Sequence, residues 1–262
     1  MKIFSFRNIR ILLLLALLAF VAIYTKQQRI YSTSWLEPLQ VVIFPINADG
    51  STASASYITT LSSDSFAAID KFTAREAKRY NLYQERPTLT VLGPTIDALP
   101  PAPPPNSANA IKIALWSIKL RYWVWQNTPK AYANSNMVSM FVLYHAPNGG
   151  KINLDSLGLQ KGLLGIVNAF ASQEQSKQNN IVIAHELLHT VGATDKYNVA
   201  GNPVFPHGYA KPERKPLFPQ YRAEIMAARI AKSKSASEMA TSLESCVIGN
   251  KTAREISWLD AQ

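Results

Sequence analysis

The segment IVIAHELLHTVGATDKY, residues 181–197, constrains this chain more than any other. Inside an otherwise apolar stretch it places two histidines and a glutamate, His185, Glu186 and His189. Burying three such groups without partners is costly, and a metal ion supplies partners for them. The spacing fits that use. Residues four apart on a helix are neighbours on one face, so both imidazoles reach one ion. Glu186 follows the first ligand, too far round to coordinate comfortably, and is placed to take a proton from a water activated by the metal. Val182, His185, Glu186 and His189 form one stripe facing a cleft, and Ala184, Leu187, Leu188 and Val191 form a second, apolar stripe facing the core. The pattern predicts a helix over residues 180–192, ending at Gly192, where glycine permits a left-handed turn.

A catalytic zinc needs a third protein ligand and one position left for water. Asp195 follows Gly192 by three residues, where a reversal of the chain brings a carboxylate back towards the metal. His207 is the competing third ligand, its loop folding back. The segment HELLHTVGATD resembles the extended zinc motif of the metzincin peptidases, HExxHxxGxxH, with aspartate in the last place. Snapalysin-like enzymes have this aspartate variant. Immune-inhibitor-A-like peptidases have a similar motif followed by an aromatic residue, as Tyr197 follows here. The resemblance implies a zincin fold of α+β class: a twisted mixed sheet packed on helices, an active-site helix, a methionine turn beneath the metal, and a closing helix. Met226, 31 residues after Asp195, is the candidate for that turn, with an ordinary core methionine as the other reading. The resemblance also implies Zn2+ held by His185, His189 and Asp195, Glu186 as catalytic base, a peptide or protein substrate, and the strand at residues 137–144 edging the cleft. The alternative is a zinc-binding but non-catalytic extracytoplasmic scaffold. Tyr197 and Tyr221 are candidates for oxyanion stabilisation or structural residues, and His145 reads as a histidine at a cleft edge.

The first 34 residues read as an address. Lys2, Arg7 and Arg10 precede the uncharged run ILLLLALLAFVAIY, residues 11–24. A basic segment before an apolar run marks a signal peptide or a signal anchor. As a helix the run spans about 21 Å, short of the roughly 30 Å hydrocarbon core, which favours a cleaved signal. It closes with Ile23, Tyr24 and Thr25, however, and lacks the small residues that cleavage wants, which favours an anchor. Residues 1–34 are therefore expected to be a cytoplasmic tail and membrane anchor, with residues 35–262 forming one extracytoplasmic domain. Secretion after cleavage is the alternative.

Five of the 27 basic residues and none of the 17 acidic ones lie in residues 1–34, which leaves the remainder at a formal +5. That mild balance, without an arginine-rich helix, argues against nucleic acid as a partner. The single cysteine, Cys246, rules out an intrachain disulfide and reads as a small buried apolar residue. Hydrophobic patterning predicts strands at residues 39–45, 88–92, 137–144 and 163–171, and helices at 63–80, 108–126 and 236–247. In the helix at 108–126, Ile111, Leu115, Ile118 and Tyr122 share one face and are expected to pack inward, with Trp116 and Trp123 beside them.

Overall fold

The structure, a computed structural model, describes residues 6–105, 107–132, 137–147, 156–160 and 162–260; Lys2 lies outside them. Among these the fold is α+β, with six α-helices and a mixed five-stranded sheet. The N-terminal helix α1, Phe6–Ser34, is long and apolar enough to cross a membrane, as an anchor or a signal sequence does. It contributes nothing to the hydrophobic cores, which begin at Trp35. Trp35 docks edge-on to Trp258 and donates its indole N–H to the Ile256 carbonyl at 2.6 Å.

The sheet has the order β2-β1-β3-β5-β4. Strands β1 (Leu39–Asn47), β2 (Thr88–Leu92), β3 (Met137–His145) and β5 (Leu164–Phe170) run parallel, and the short β4 (Leu157–Leu159) closes one edge antiparallel to β5. The central strands are near-continuous apolar runs because helices cover both faces of the sheet. Pro45 is tolerated inside β1 for a local reason. Its carbonyl points to the β2 side, where it accepts from Ile96 N after β2 has ended at Leu92, so the missing N–H costs no ladder bond.

One face of the sheet packs on α2 (Thr52–Thr59), α3 (Ala67–Arg79) and α5 (Ser176–Thr190), around Ile43, Phe72, Met140, Val167 and Leu187. The predicted helix at 63–80 is a 3-10 turn, Ser63–Phe66, running into α3. The other face packs on α4 (Ala110–Asn127), and here the predicted orientation is overturned. Leu120 is buried, with Trp116, Trp123 and Val124 beside it, while Ile111, Leu115, Ile118 and Tyr122 face outward. The helix is apolar on two sides, and the tryptophan side supplies the larger contact with Phe141.

Helix α5 begins four residues before the expected Asn180. Asn179 and Asn180 do not cap it. Asn179 bonds the backbone N–H and carbonyl of Phe170, and Asn180 donates to the Ser65 carbonyl. The predicted helix at 236–247 does not form. Its residues instead make β8 (Ser237–Met239), paired with β7 (Arg229–Ala231), a 3-10 turn, and β9 (Cys246–Val247), paired with β6 (Ala223–Glu224). Backbone partners brought in from residues 223–231 outweigh the local helical pattern. The last helix is α6, Asn250–Glu255.

Candidate metal centre

Helix α5 carries His185 and His189 on one face, and the chain reverses immediately after it. Gly192 adopts φ +110°, a conformation only glycine takes freely, and its Cα faces the Gln160 side chain and the Glu255 carbonyl. The reversal swings Asp195 back over the helix. His185 Nε2, His189 Nε2 and Asp195 Oδ1 then form a triangle with sides of 3.0, 3.1 and 3.1 Å.

What these three atoms are to one another follows from their other contacts. His185 Nδ1 lies 3.0 Å from the Ile225 carbonyl, and His189 Nδ1 lies 2.8 Å from the Ala193 carbonyl. A carbonyl only accepts, so each Nδ1 carries the proton and each Nε2 presents its lone pair. Two lone pairs and a carboxylate oxygen therefore converge on one point. A proton between Asp195 and one imidazole satisfies one side of the triangle, whereas a cation satisfies all three. Ligands held at about 2.0–2.1 Å in a tetrahedral array stand roughly 3.3–3.4 Å apart, within a few tenths of an ångström of the observed spacing. The group can hold a metal ion. Asp195 keeps 43% of its side chain exposed, which leaves the open side of the triangle accessible.

Without an ion, a proton competes for these same three atoms. Burial acts to raise the Asp195 carboxyl, but without an ion an imidazole that takes a second proton on Nε2 donates to it, and such bonds outweigh burial and hold the group well below the usual carboxylate range. Burial acts to lower His189, and the contacts with Asp195, Glu186 and the Ala193 carbonyl together raise it. Glu186 is different. Burial pushes it above the ordinary carboxylate range, against the pull of the two histidines. The Gly158 N–H lies close enough to oppose that rise, yet no described group completes a hydrogen bond to the buried Glu186 Oε2.

Strand β4 lies flush against this face. A Cβ on Gly158 would meet the Glu186 carbonyl at 2.3 Å and the His189 Cβ at 2.6 Å. This corrects the expectation for the strand at 137–144. β3 is interior, paired with β1 and β5 on its two sides, and β4 is the edge strand over the site. Nothing in the sequence around Gly158 signals this, because the contact is made by backbone.

Below the histidines, residues 224–228 form a tight turn, with Ala228 N donating to the Glu224 and Ile225 carbonyls and Ala228 at φ +54°. Met226 in this turn is fully buried, and its neighbour Ile225 supplies the carbonyl that orients His185. The buried Glu224 carboxylate holds the turn, accepting from Met226 N, Gly249 N and Thr252 Oγ1. A second support was not foreseen. Lys196 Nζ, with its side chain 5% exposed, bonds Glu255 Oε2 at 2.8 Å and the Thr194 carbonyl at 2.6 Å, and Glu255 also accepts from Thr194 N and Oγ1. These contacts clamp both neighbours of Asp195 to α6.

The remaining candidates separate. The Tyr197 ring stacks beside His185 at 6.2 Å. His207 and Tyr221 line a cavity of about 640 Å³ elsewhere, in which Arg214 sits over the Tyr221 ring, and neither belongs to the triangle. His145 pairs with Asn168 at the end of β3. The Cys246 thiol is fully buried, and burial pushes its pKa up to about 12.

No protein-family model and no curated protein matches the chain.

Proposed function

We propose that the chain is a zinc metallopeptidase of metzincin type, an α+β zincin held at a membrane by α1, which hydrolyses peptide bonds with Glu186 as general base. The observation that carries this reading is the triangle of His185, His189 and Asp195, with both imidazoles locked by carbonyls so that their lone pairs converge. Two imidazoles and one carboxylate, with an open side, form a donor set suited to catalytic zinc. The buried turn at Met226 beneath His185 and the edge strand β4 over the site add support from outside the motif.

When bound, zinc supplies a Lewis acid that lowers the pKa of water and polarises a carbonyl. His185, His189 and Asp195 would hold it. Glu186 does the proton work: its carboxylate accepts a proton from the attacking water and delivers it to the leaving amine. Burial suits it to both steps, because a raised pKa makes the carboxylate a better base and lets it hold the proton until the C–N bond breaks. The outer edge of β4 offers backbone groups to an extended peptide, which would lie across the site as an added strand. The basic flank Arg7 and Arg10 keeps the N-terminus cytoplasmic and places the domain outside.

The test is metal content and turnover together. Purified chain should carry about one zinc, as a single site of this type requires. Glu186→Gln should retain the zinc and lose cleavage of a peptide mixture. A chain that binds no zinc when the metal is supplied refutes the site, and retained turnover in Glu186→Gln refutes the base.

A further inference from the structure

Among the described residues, the outward face of α4 takes no part in either hydrophobic core. Ile111, Leu115, Ile118, Tyr122 and Trp125 recur at intervals of three and four, so they form one stripe along the helix. All five are between 56% and 74% exposed. The opposite side, through Trp116, Leu120 and Trp123, is the one that packs on the sheet. Scattered exposed apolar residues are ordinary, but a continuous stripe over an 18-residue helix marks a contact surface.

The flanks identify the partner. Lys112 and Lys119 border the stripe on one side and Arg121 on the other, and α4 contains no acidic residue. Large apolar side chains with tryptophan and tyrosine, edged by long cationic side chains that snorkel, are the pattern of a helix lying in a bilayer interface. A protein partner would have no such requirement for one sign of charge along both flanks.

Topology brings the bilayer to this helix. As the connection between the parallel strands β2 and β3, α4 runs back against the strand direction and ends near the edge of the sheet where those strands begin. Trp123 meets Phe141 edge-on at mid-strand, four residues before the helix ends at Asn127. Helix α1 feeds β1 at that same edge, where Gln40 pairs with Met137. Between the end of the apolar run and the domain, residues 25–34 continue α1 for about 15 Å, enough to pass through the headgroup layer. The Tyr122 and Trp125 end of α4 is thus the end nearest the leaflet that α1 leaves.

We propose that this face of α4 is a second membrane contact, which lays the domain on an anionic lipid surface. The proposal deepens the membrane reading of α1 above but does not need α1 for its test. Residues 35–262 contain every member of both cores, so this fragment serves as the soluble probe. It should cosediment with vesicles of equimolar phosphatidylcholine and phosphatidylglycerol, and more weakly with phosphatidylcholine alone. The exposed double variant Leu115→Glu with Ile118→Glu should lose this binding while keeping its metal content. Each of Lys112→Gln, Lys119→Gln and Arg121→Gln should weaken binding to the anionic vesicles roughly fivefold. In the full chain reconstituted in anionic nanodiscs, a fluorophore on Ile118→Cys should be quenched by nitroxide lipids, with the buried Cys246 left unlabelled. Equal vesicle binding by the double variant overturns the proposal. So does a fragment that ignores vesicles and dimerises through this face. Failure of α1 to anchor the chain would appear only in the nanodisc arm, as loss of the full chain from the discs, with fragment binding intact.

Discussion

The support behind Asp195 makes a prediction that can be worked through in numbers. Lys196 and Glu255 form an ion pair with side chains 5% and 15% exposed, and both also bond Thr194. Replacing Glu255 by alanine leaves an ammonium buried without its counter-charge, at a cost of about 3–5 kcal/mol. That is a large part of the roughly 5–15 kcal/mol by which a domain is stable. Replacing both partners, Lys196→Met with Glu255→Leu, removes the charges together and should cost far less, because desolvation of the pair had offset most of its attraction. Urea unfolding of residues 35–262 compares the parent, Glu255→Ala and the double variant. The pair also predicts an acid limb. Burial acts to raise the Glu255 pKa, but Lys196 and Thr194 outweigh it and set it below the ordinary value of 4.5. The stabilisation is therefore complete above that value and is lost as pH falls through the folded-state pKa. The double variant should lose this part of the acid dependence. Because the clamp holds the neighbours of Asp195, Glu255→Ala should also weaken metal binding by about 10–100-fold, the usual effect of removing an outer support. A single variant that loses under about 1 kcal/mol, within the range of exposed pairs, would refute the account of a buried clamp.

Other outcomes follow from single contacts. Asp195→Ala should lower metal affinity by more than about 100-fold, since a ligand counts for more than its support, and His207→Ala should leave it unchanged; competition with a chromophoric chelator reads both. Gly158→Ala places a methyl against the backbone of α5 and should cost about 1–3 kcal/mol on urea unfolding, with activity reduced because β4 is displaced from Glu186. The Cys246 thiol, buried and pushed up to about 12, should resist alkylation at neutral pH in the folded protein and react once it is unfolded; rapid native labelling, read by mass spectrometry, would contradict its burial.

The candidate site was legible to the extent that it is local. The interval between His185 and His189 is fixed by helix geometry, and Gly192 announces the turn that returns Asp195, so three converging groups could be named before any fold was known. Between Asp195 and His207, however, the sequence left a choice, because each stood at the end of a loop of undetermined course. The supports were illegible. The carbonyls of Ile225 and Ala193 belong to residues whose side chains carry no functional signal, and Glu255 lies 60 residues beyond Asp195.

The same division holds for the fold. By themselves, the residues determined the four long strands, because their runs are rich in β-branched and apolar side chains, and they determined the helices at 67–79, 110–127 and 176–190 to within a few residues. Only the tertiary structure decided which side of α4 is inside. Both sides of that helix are apolar, and hydrophobic period alone cannot rank two apolar faces; the sheet ranked them by packing Trp123 edge-on against Phe141. Only the tertiary structure decided that residues 236–247 form strands, because a strand three residues long is stabilised by a neighbour that local sequence does not contain. Local pattern fixes what a few consecutive turns of chain can do for themselves, and long-range pairing decides the rest, because its free energy comes from residues that the fold alone brings together.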